Sequence, residues 1–155
     1  MKIVFIIVII TFAGFFCKKL NFPRRSKAPA TDTFIFGADG GSLPGNYTYF
    51  KIENEKVFRN KAFAPGQETI LFDSNQLSND KYLLTKELKE IFPGYLLSHP
   101  NQTFGCPNCA DQGAIHIEME HNGTLKSWDV DTDINQQPPE IRPYIKRLLQ
   151  IVSQL

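Results

Sequence analysis

The 155-residue chain lacks the short motifs by which common nucleotide-binding and hydrolytic sites are recognised. It contains neither G-x-x-x-x-G-K-[ST] nor G-x-G-x-x-G, which excludes the usual phosphate-binding loops, and it contains no G-x-S-x-G nucleophile motif. With only three cysteines, it also lacks the second cysteine pair of a four-cysteine zinc site. The part of the chain after residue 31 has no basic patch, which argues against nucleic-acid binding.

Long apolar runs are also missing, except for one of 14 residues at the N-terminus, from Ile3 to Phe16. A membrane-spanning helix needs about 20 residues, so this run is too short. Lys2 precedes the run and Cys17 follows it. A positively charged N-terminus, an apolar core of about 7–15 residues and a cysteine or small residues at the end of that core are typical of an export signal. Residues 1–17 are therefore predicted to be an export signal.

The end of this signal, where processing would occur, has three interpretations. Cys17 would be the lipid attachment site of a mature lipoprotein, or cleavage after Ala13 would release a free protein. The third is an uncleaved anchor. Positive charge tends to stay in the cytoplasm, and here it follows the apolar run, so such an anchor would leave the domain inside the cell. Five basic residues and no acidic ones lie between positions 18 and 31: Lys18, Lys19, Arg24, Arg25 and Lys27.

The basic segment 18–31 also contains prolines and small residues, so it is predicted to be a flexible tether. Its charge would favour contact with anionic lipid headgroups. Residues 32–155 carry 11 basic and 16 acidic residues, a formal net charge of −5. This length is sufficient for one domain with one core. The expected partners are the membrane, reached through the lipid or the signal, and a protein of the envelope.

Residue patterns predict hairpins of strands with two helices at separate places. The predicted strands are Thr33–Phe36, Tyr47–Ile52 and Lys56–Arg59, and Thr69–Phe72 is a further candidate strand. The loop Gly37–Gly45 is predicted to be a glycine-rich turn. The predicted helices are Lys81–Phe92 and Pro139–Gln154, while Tyr95–Leu97 fits either state. The fold class is therefore α+β: an antiparallel sheet of hairpins, covered on one face by the middle helix and the C-terminal helix.

Apolar spacing indicates which helix faces are buried. The middle helix, capped by Ser78 or Asp80, has its stripe at Leu84, Leu88 and Ile91. The C-terminal helix has its stripe at Ile141, Ile145, Leu148, Val152 and Leu155.

The best-specified hairpin turns at Asn122-Gly123, which supplies the two positive-φ residues of a type I′ turn. The turn sets a register that pairs Ile117 with Trp128, Ile115 with Val130, His116 with Asp129 and Glu118 with Ser127. His116 opposite Asp129 would be a general base with its orienting carboxylate, or an exposed cross-strand charge pair. His121 lies beside the turn.

Cys106-Pro107-Asn108-Cys109 is the sharpest local motif, and it has three main interpretations. A structural disulfide is expected in an oxidising compartment. A zinc site would need His99 and His116 to complete the four ligands. A redox dithiol would need the N-terminus of a helix directly after the motif, whereas the sequence here leads into a strand. The disulfide is the prediction, and free thiols remain a fourth alternative.

The segment 129–140 has the spacing of a calcium-binding loop. Oxygen ligands occupy positions 1, 3, 5, 7, 9 and 12 of such a loop: Asp129, Asp131, Asp133, Asn135, Gln137 and Glu140. Position 6 requires glycine for the sharp turn but is Ile134, and the entering element is a strand. The alternative is a solvated acidic connector, so Asp129, Asp131, Asp133 and Glu140 are only weak metal candidates and no cofactor is expected.

The stretch from Phe104 to Ala114, with its C-P-x-C-A-D-x-G motif, is followed by an alternating strand and an amphipathic helix. This stretch resembles small exported proteins and lipoproteins of Bacteroidota, as does the Gly40-Gly41 loop before a tyrosine-rich strand. The likeness covers about a third of the chain. It implies a location in the cell envelope, and it carries over neither an activity nor a catalytic residue.

Together these observations predict a non-enzymatic domain of the cell envelope, tethered by a basic linker, which binds a partner or stabilises an assembly. A zinc- or calcium-binding domain is the alternative. A thiol-redox protein that uses Cys106 and Cys109 is the second alternative.

Overall fold

The computed structural model describes residues 32–40, 47–62, 69–109 and 112–155. The predicted signal, Cys17, the tether and most of the predicted glycine-rich loop lie outside this part of the chain. The described strands are β1 Thr33–Asp39, β2 Tyr47–Glu53, β3 Lys56–Asn60, β4 Phe72–Gln76, β5 Gln102–Phe104, β6 Ala114–His121 and β7 Thr124–Asp131. The described helices are α1 Asn79–Glu90, α2 Gly94–Ser98 and α3 Arg142–Val152, with a 3₁₀ turn at Ile134–Gln136.

The seven strands form one sheet in the order β4-β3-β2-β1-β6-β7-β5. Every neighbouring pair is antiparallel except β5 and β7, which run parallel. The predicted α+β fold, with a mostly antiparallel sheet, is therefore confirmed. The edge strand β5 was not predicted, because three residues are too few to show an alternating pattern.

Both predicted hairpins form. In the β6–β7 hairpin, Ile117 pairs with Trp128 and His116 pairs with Asp129, so the predicted register is confirmed. Asn122 and Gly123 have φ angles of 53° and 74°, the left-handed values that this tight turn requires. Local turn chemistry thus decides which side chains of β6 and β7 share a face.

One face of the sheet forms the core against the helices. The core consists of apolar side chains from β1, β2, β3, β5, β6 and β7 together with those of α1, α2 and α3. Phe92 connects these layers, since its ring packs against those of Phe34, Trp128 and Tyr144. The indole Nε1 of Trp128 donates a 2.8 Å hydrogen bond to the carbonyl oxygen of His99 and so fixes the end of α2. Arg147 of α3 binds Glu87 of α1 through both carboxylate oxygens, at 2.9 and 2.6 Å.

Several predicted boundaries are wrong. β1 continues through Gly37 to Asp39, so Gly37 lies in a strand and not in a turn. The possible strand at Thr69–Phe72 is displaced, because β4 begins at Phe72, and α3 begins three residues after Pro139. The ambiguous segment Tyr95–Leu97 is helical.

The two buried stripes are only partly as predicted. Leu88 is fully buried, but Ile91 follows the last turn of α1 and is 45% exposed. In α3, Tyr144 and Ile151 are buried beside the predicted Ile145 and Leu148, since the stripe is wider than its spacing suggested. None of the helices in the described part of the chain is long and apolar enough to cross a membrane.

Asp131, at the end of β7, is fully buried and connects three segments. Its carboxylate accepts hydrogen bonds from the backbone N–H groups of Cys106 at 2.8 Å and Asp133 at 2.7 Å. Its backbone oxygen accepts a bond from the side-chain amide of Gln137. Gly105 makes this approach possible, because a Cβ atom there would lie 2.5 Å from the Cβ atom of Asp131.

Gly105 and Gly123 provide a matched test of this junction. Both have φ near 75°, so alanine is strained at either position, but a Cβ atom at Gly123 would meet no heavy atom within 4 Å. We expect Gly105→Ala to reduce the free energy of unfolding by about 1–3 kcal/mol more than Gly123→Ala does, because only the first displaces Asp131. Urea unfolding of the two variants measures the difference, and equal losses would contradict the role given to Asp131.

Candidate functional site

The sheet face opposite the core contains an open cleft of about 390 Å³, which we name the sheet-face cleft. Strands β1, β2, β5, β6 and β7 supply its floor, and the loop after β5 supplies one wall. Its described lining residues are Asp39, Tyr49, Ile70, Thr103, Pro107, Asn108, Ala114, His116 and Asp129. Because side chains alternate along a strand, these polar residues face away from the buried Phe36, Ile117 and Trp128.

Gly37 lies at the centre of the cleft floor. It pairs with Tyr49 on one side and with His116 on the other. A Cβ atom at Gly37 would clash with the carbonyl oxygen of Thr48 and lie 2.6 Å from the Tyr49 ring. Without that atom, the rings of Tyr49 and His116 meet edge to face, with centroids 6.0 Å apart. Glycine is thus required here for close packing.

His116 is held between two carboxylates. Its Nδ1 lies 2.8 Å from Asp129 Oδ1, and its Nε2 lies 3.6 Å from Glu118 Oε2. Burial alone lowers the pKa of His116, but the hydrogen bond to Asp129 and the nearby carboxylate of Glu118 outweigh it and raise the pKa to about 9. The same hydrogen bond lowers the pKa of Asp129 below its usual value. His116 and Asp129 were considered as a general base with its orienting carboxylate or as a charge pair. The protonated state of His116 favours the charge pair, since an imidazolium cannot accept a proton.

Tyr49 and Asp39 were not predicted as site residues. Tyr49 is 8% exposed, and burial, followed by the charges of Asp39, Tyr47 and Asp129, raises its pKa to about 12. Asp39 accepts a 2.6 Å hydrogen bond from the backbone N–H of Ala114, which joins the ends of β1 and β6. Alternation along β2 does place Tyr49 on the polar face, but the neighbours that it meets there come from distant parts of the chain.

Cys106 and Cys109 lie at disulfide-bonding distance, with their Cα atoms 5.4 Å apart, as the predicted disulfide requires. The turn between them is tight, since Asn108 has φ of 60° and donates a 3.0 Å backbone hydrogen bond to Gly113. Pro107 and Asn108 form a wall of the sheet-face cleft. The pair therefore constrains a segment that shapes the site.

The histidines considered for a zinc site are held by other partners. The ring of His99 stacks on Tyr95, with centroids 4.3 Å apart, and its Nδ1 lies 2.9 Å from the Tyr95 carbonyl oxygen. His116 is engaged by Asp129 and Glu118. His121 has its Nδ1 2.9 Å from Asp32 Oδ1.

The calcium candidates have separate structural roles. Asp129 binds His116, and Asp131 binds the backbone of Cys106 and Asp133. The side chain of Asp133 accepts a hydrogen bond from the N–H of Asn135 and so begins the 3₁₀ turn, while Glu140 is exposed. Within the described ranges, no group of three or more His, Cys, Asp or Glu residues could hold a metal ion.

Comparison with known proteins found no family model and no curated protein that matches the chain. The functional interpretation of the sheet-face cleft therefore depends on its own geometry and charge. Its described groups comprise a partly buried imidazolium, two carboxylates, a neutral phenol and an amide. Groups of these kinds can bind and orient a polar ligand.

The charge state of His116 has a measurable consequence for stability. Its folded pKa of about 9 lies above the usual value of about 6.5, so its stabilising effect is complete below pH 6.5 and is lost as the pH rises towards 9. The loss is at most about 3 kcal/mol, because one pKa unit corresponds to about 1.4 kcal/mol. Solvent screening at the half-exposed Asp129 reduces it further.

An NMR titration of the His116 ring, together with urea unfolding at pH 6 and pH 9.5, tests this expectation. Asp129→Asn should lower the His116 pKa and flatten the pH dependence of stability. The exposed Asp73 of β4 provides a control, since Asp73→Asn should leave both quantities unchanged. A His116 pKa near 6.5 in the parent protein would show that the carboxylates do not hold the proton.

Proposed function

We propose that the chain is an exported, non-enzymatic domain of the cell envelope that binds a partner molecule in the sheet-face cleft. The observation that carries the proposal is the convergence of charged, hydroxyl and aromatic side chains from five strands on the sheet face opposite the helices. The N-terminal run Ile3–Phe16, followed by Cys17, supports the exported location. Its predicted membrane connection is lipid attachment at Cys17.

The state of His116 supports binding in preference to acid–base catalysis. A general base needs a free lone pair and a pKa near the working pH. Here both ring nitrogens of His116 face carboxylates, and its pKa is about 9, so at neutral pH the imidazole carries a proton on each nitrogen. The protonated ring instead orients Asp129 and partly neutralises the cleft.

The cleft lining indicates a ligand that both donates and accepts hydrogen bonds. The carboxylate of Asp129 binds His116 through Oδ1, and the Asp129 side chain is 53% exposed, so its second oxygen can accept from a ligand. Thr103 and Asn108 offer a hydroxyl group and an amide group at the same opening. Pro107 and Ile70 add apolar contacts. The ligand is thus a polar group, carried by a small molecule or by an envelope protein.

Binding is tested by titrating the ¹⁵N-labelled full-length protein with amines, sugars, carboxylates and amino acids at millimolar concentration. We expect at least one class to cause saturable shifts of the amides of Gly37, Tyr49 and His116. Gly37→Ala should weaken that binding, because its Cβ atom displaces the Tyr49 ring. Gly94→Ala, whose Cβ atom would meet nothing within 4 Å, is the matched control. If no class causes saturable shifts at these amides, the cleft is not the binding site.

The exported location is tested by the intact mass of the protein from its native host. We expect a mass that fits residues 17–155 plus acyl chains, and Cys17→Ser should remove the acyl mass. A start at residue 14 would indicate free secretion. A retained N-terminus would contradict a cleaved signal and indicate an anchor that leaves the domain in the cytoplasm.

A further inference from the structure

A second cavity, of about 420 Å³, lies at the tip of the β6–β7 hairpin beside α2. We name it the hairpin groove, and its described lining residues are Leu97, Met119, His121, Asn122, Thr124 and Lys126. Met119 and Lys126 are partners in the strand register, and alternation places them on the same sheet face as Ile117 and Trp128. The groove is therefore on the opposite face of the sheet from the sheet-face cleft.

Two apolar side chains form the walls of the hairpin groove. Leu97 is 42% exposed, although its neighbour Leu96 is fully buried. Met119 packs against the edge of the core and is partly buried. A methionine side chain is flexible and polarisable, so it adapts to apolar ligands of varied shape. Contact with a hydrocarbon chain would remove this apolar surface from water.

The charge at the groove comes from Lys126. In the part of the chain that the structure describes, its ammonium group has no ion pair and no hydrogen bond. His121 differs, because Asp32 and Asn122 already engage its two ring nitrogens, at 2.9 and 2.6 Å. The groove thus combines apolar walls with one available cation.

We infer that the hairpin groove binds a single-chain amphiphile with an anionic head group. The hydrocarbon chain lies against Leu97 and Met119, and the head group accepts a charge-assisted hydrogen bond from Lys126 Nζ. This site is separate from the sheet-face cleft and does not depend on the function proposed there. The sheet-face cleft suits this ligand less well, since it contains the carboxylates of Asp39 and Asp129 beside the protonated His116.

The chain contains two methionines, Met1 and Met119, which makes the test specific. In full-length protein labelled with [methyl-¹³C]methionine, Met119 reports on the groove and Met1 reports on the N-terminal apolar run. Sodium decanoate, kept below its micelle concentration, is the probe. We expect it to shift the Met119 methyl signal saturably. Decyltrimethylammonium, with the same chain and a cationic head, should bind at least about tenfold more weakly.

Three variants assign the contacts. Lys126→Gln should weaken decanoate binding about tenfold, while Lys146→Gln, on an exposed lysine of α3 outside the groove, should leave it unchanged. Leu97→Gln should also weaken it, and because Leu97 is exposed the fold should be retained. The inference is overturned if decanoate shifts only Met1, if Met119 does not respond, or if Lys126→Gln and Lys146→Gln bind decanoate equally.

Discussion

The buried carboxylate of Asp131 is the contact on which both the edge of the sheet and the wall of the sheet-face cleft depend. β5 is only three residues long, and a strand this short contributes few ladder hydrogen bonds of its own. Asp131 adds charge-assisted bonds to the backbone of Cys106 and Asp133, and so joins β7, the loop after β5 and the 3₁₀ turn. Pro107 and Asn108 lie within that loop and form a wall of the cleft. The buried Asp131 therefore helps to set the shape of the cleft, although its carboxylate is not exposed there.

Two features define the cleft: the missing side chain of Gly37 and the charged side chains around His116. Gly37 leaves the space in which the rings of Tyr49 and His116 meet, and Asp129 and Glu118 keep His116 protonated. A site arranged in this way holds its proton firmly, which suits a fixed pattern of donors and acceptors better than repeated proton transfer. This physical character, and not any sequence motif, is the basis on which we propose a binding function.

The two concave sites lie on opposite faces of one sheet, and they differ in chemistry. The sheet-face cleft is polar and holds several coupled charges, whereas the hairpin groove is apolar with a single ammonium group. The β6–β7 hairpin contributes to both, because alternate residues of β6 point to alternate faces: His116 to the cleft and Met119 to the groove. The β6–β7 hairpin therefore fixes the two sites relative to each other, and its strand register decides which of its side chains line each site.

The features that depend on neighbours in the chain could be predicted from the residue pattern. The Asn122-Gly123 turn and strict alternation were sufficient to predict the pairing of His116 with Asp129, because a two-residue turn leaves one register. Three features follow from the folding of the whole domain: the parallel pairing of β5, the burial of Asp131 and the contact of Tyr49 with His116 over Gly37. These contacts join residues that lie far apart in the chain. Short-range patterns carry no information about which distant strands become neighbours, so only packing of the whole domain brings these side chains together.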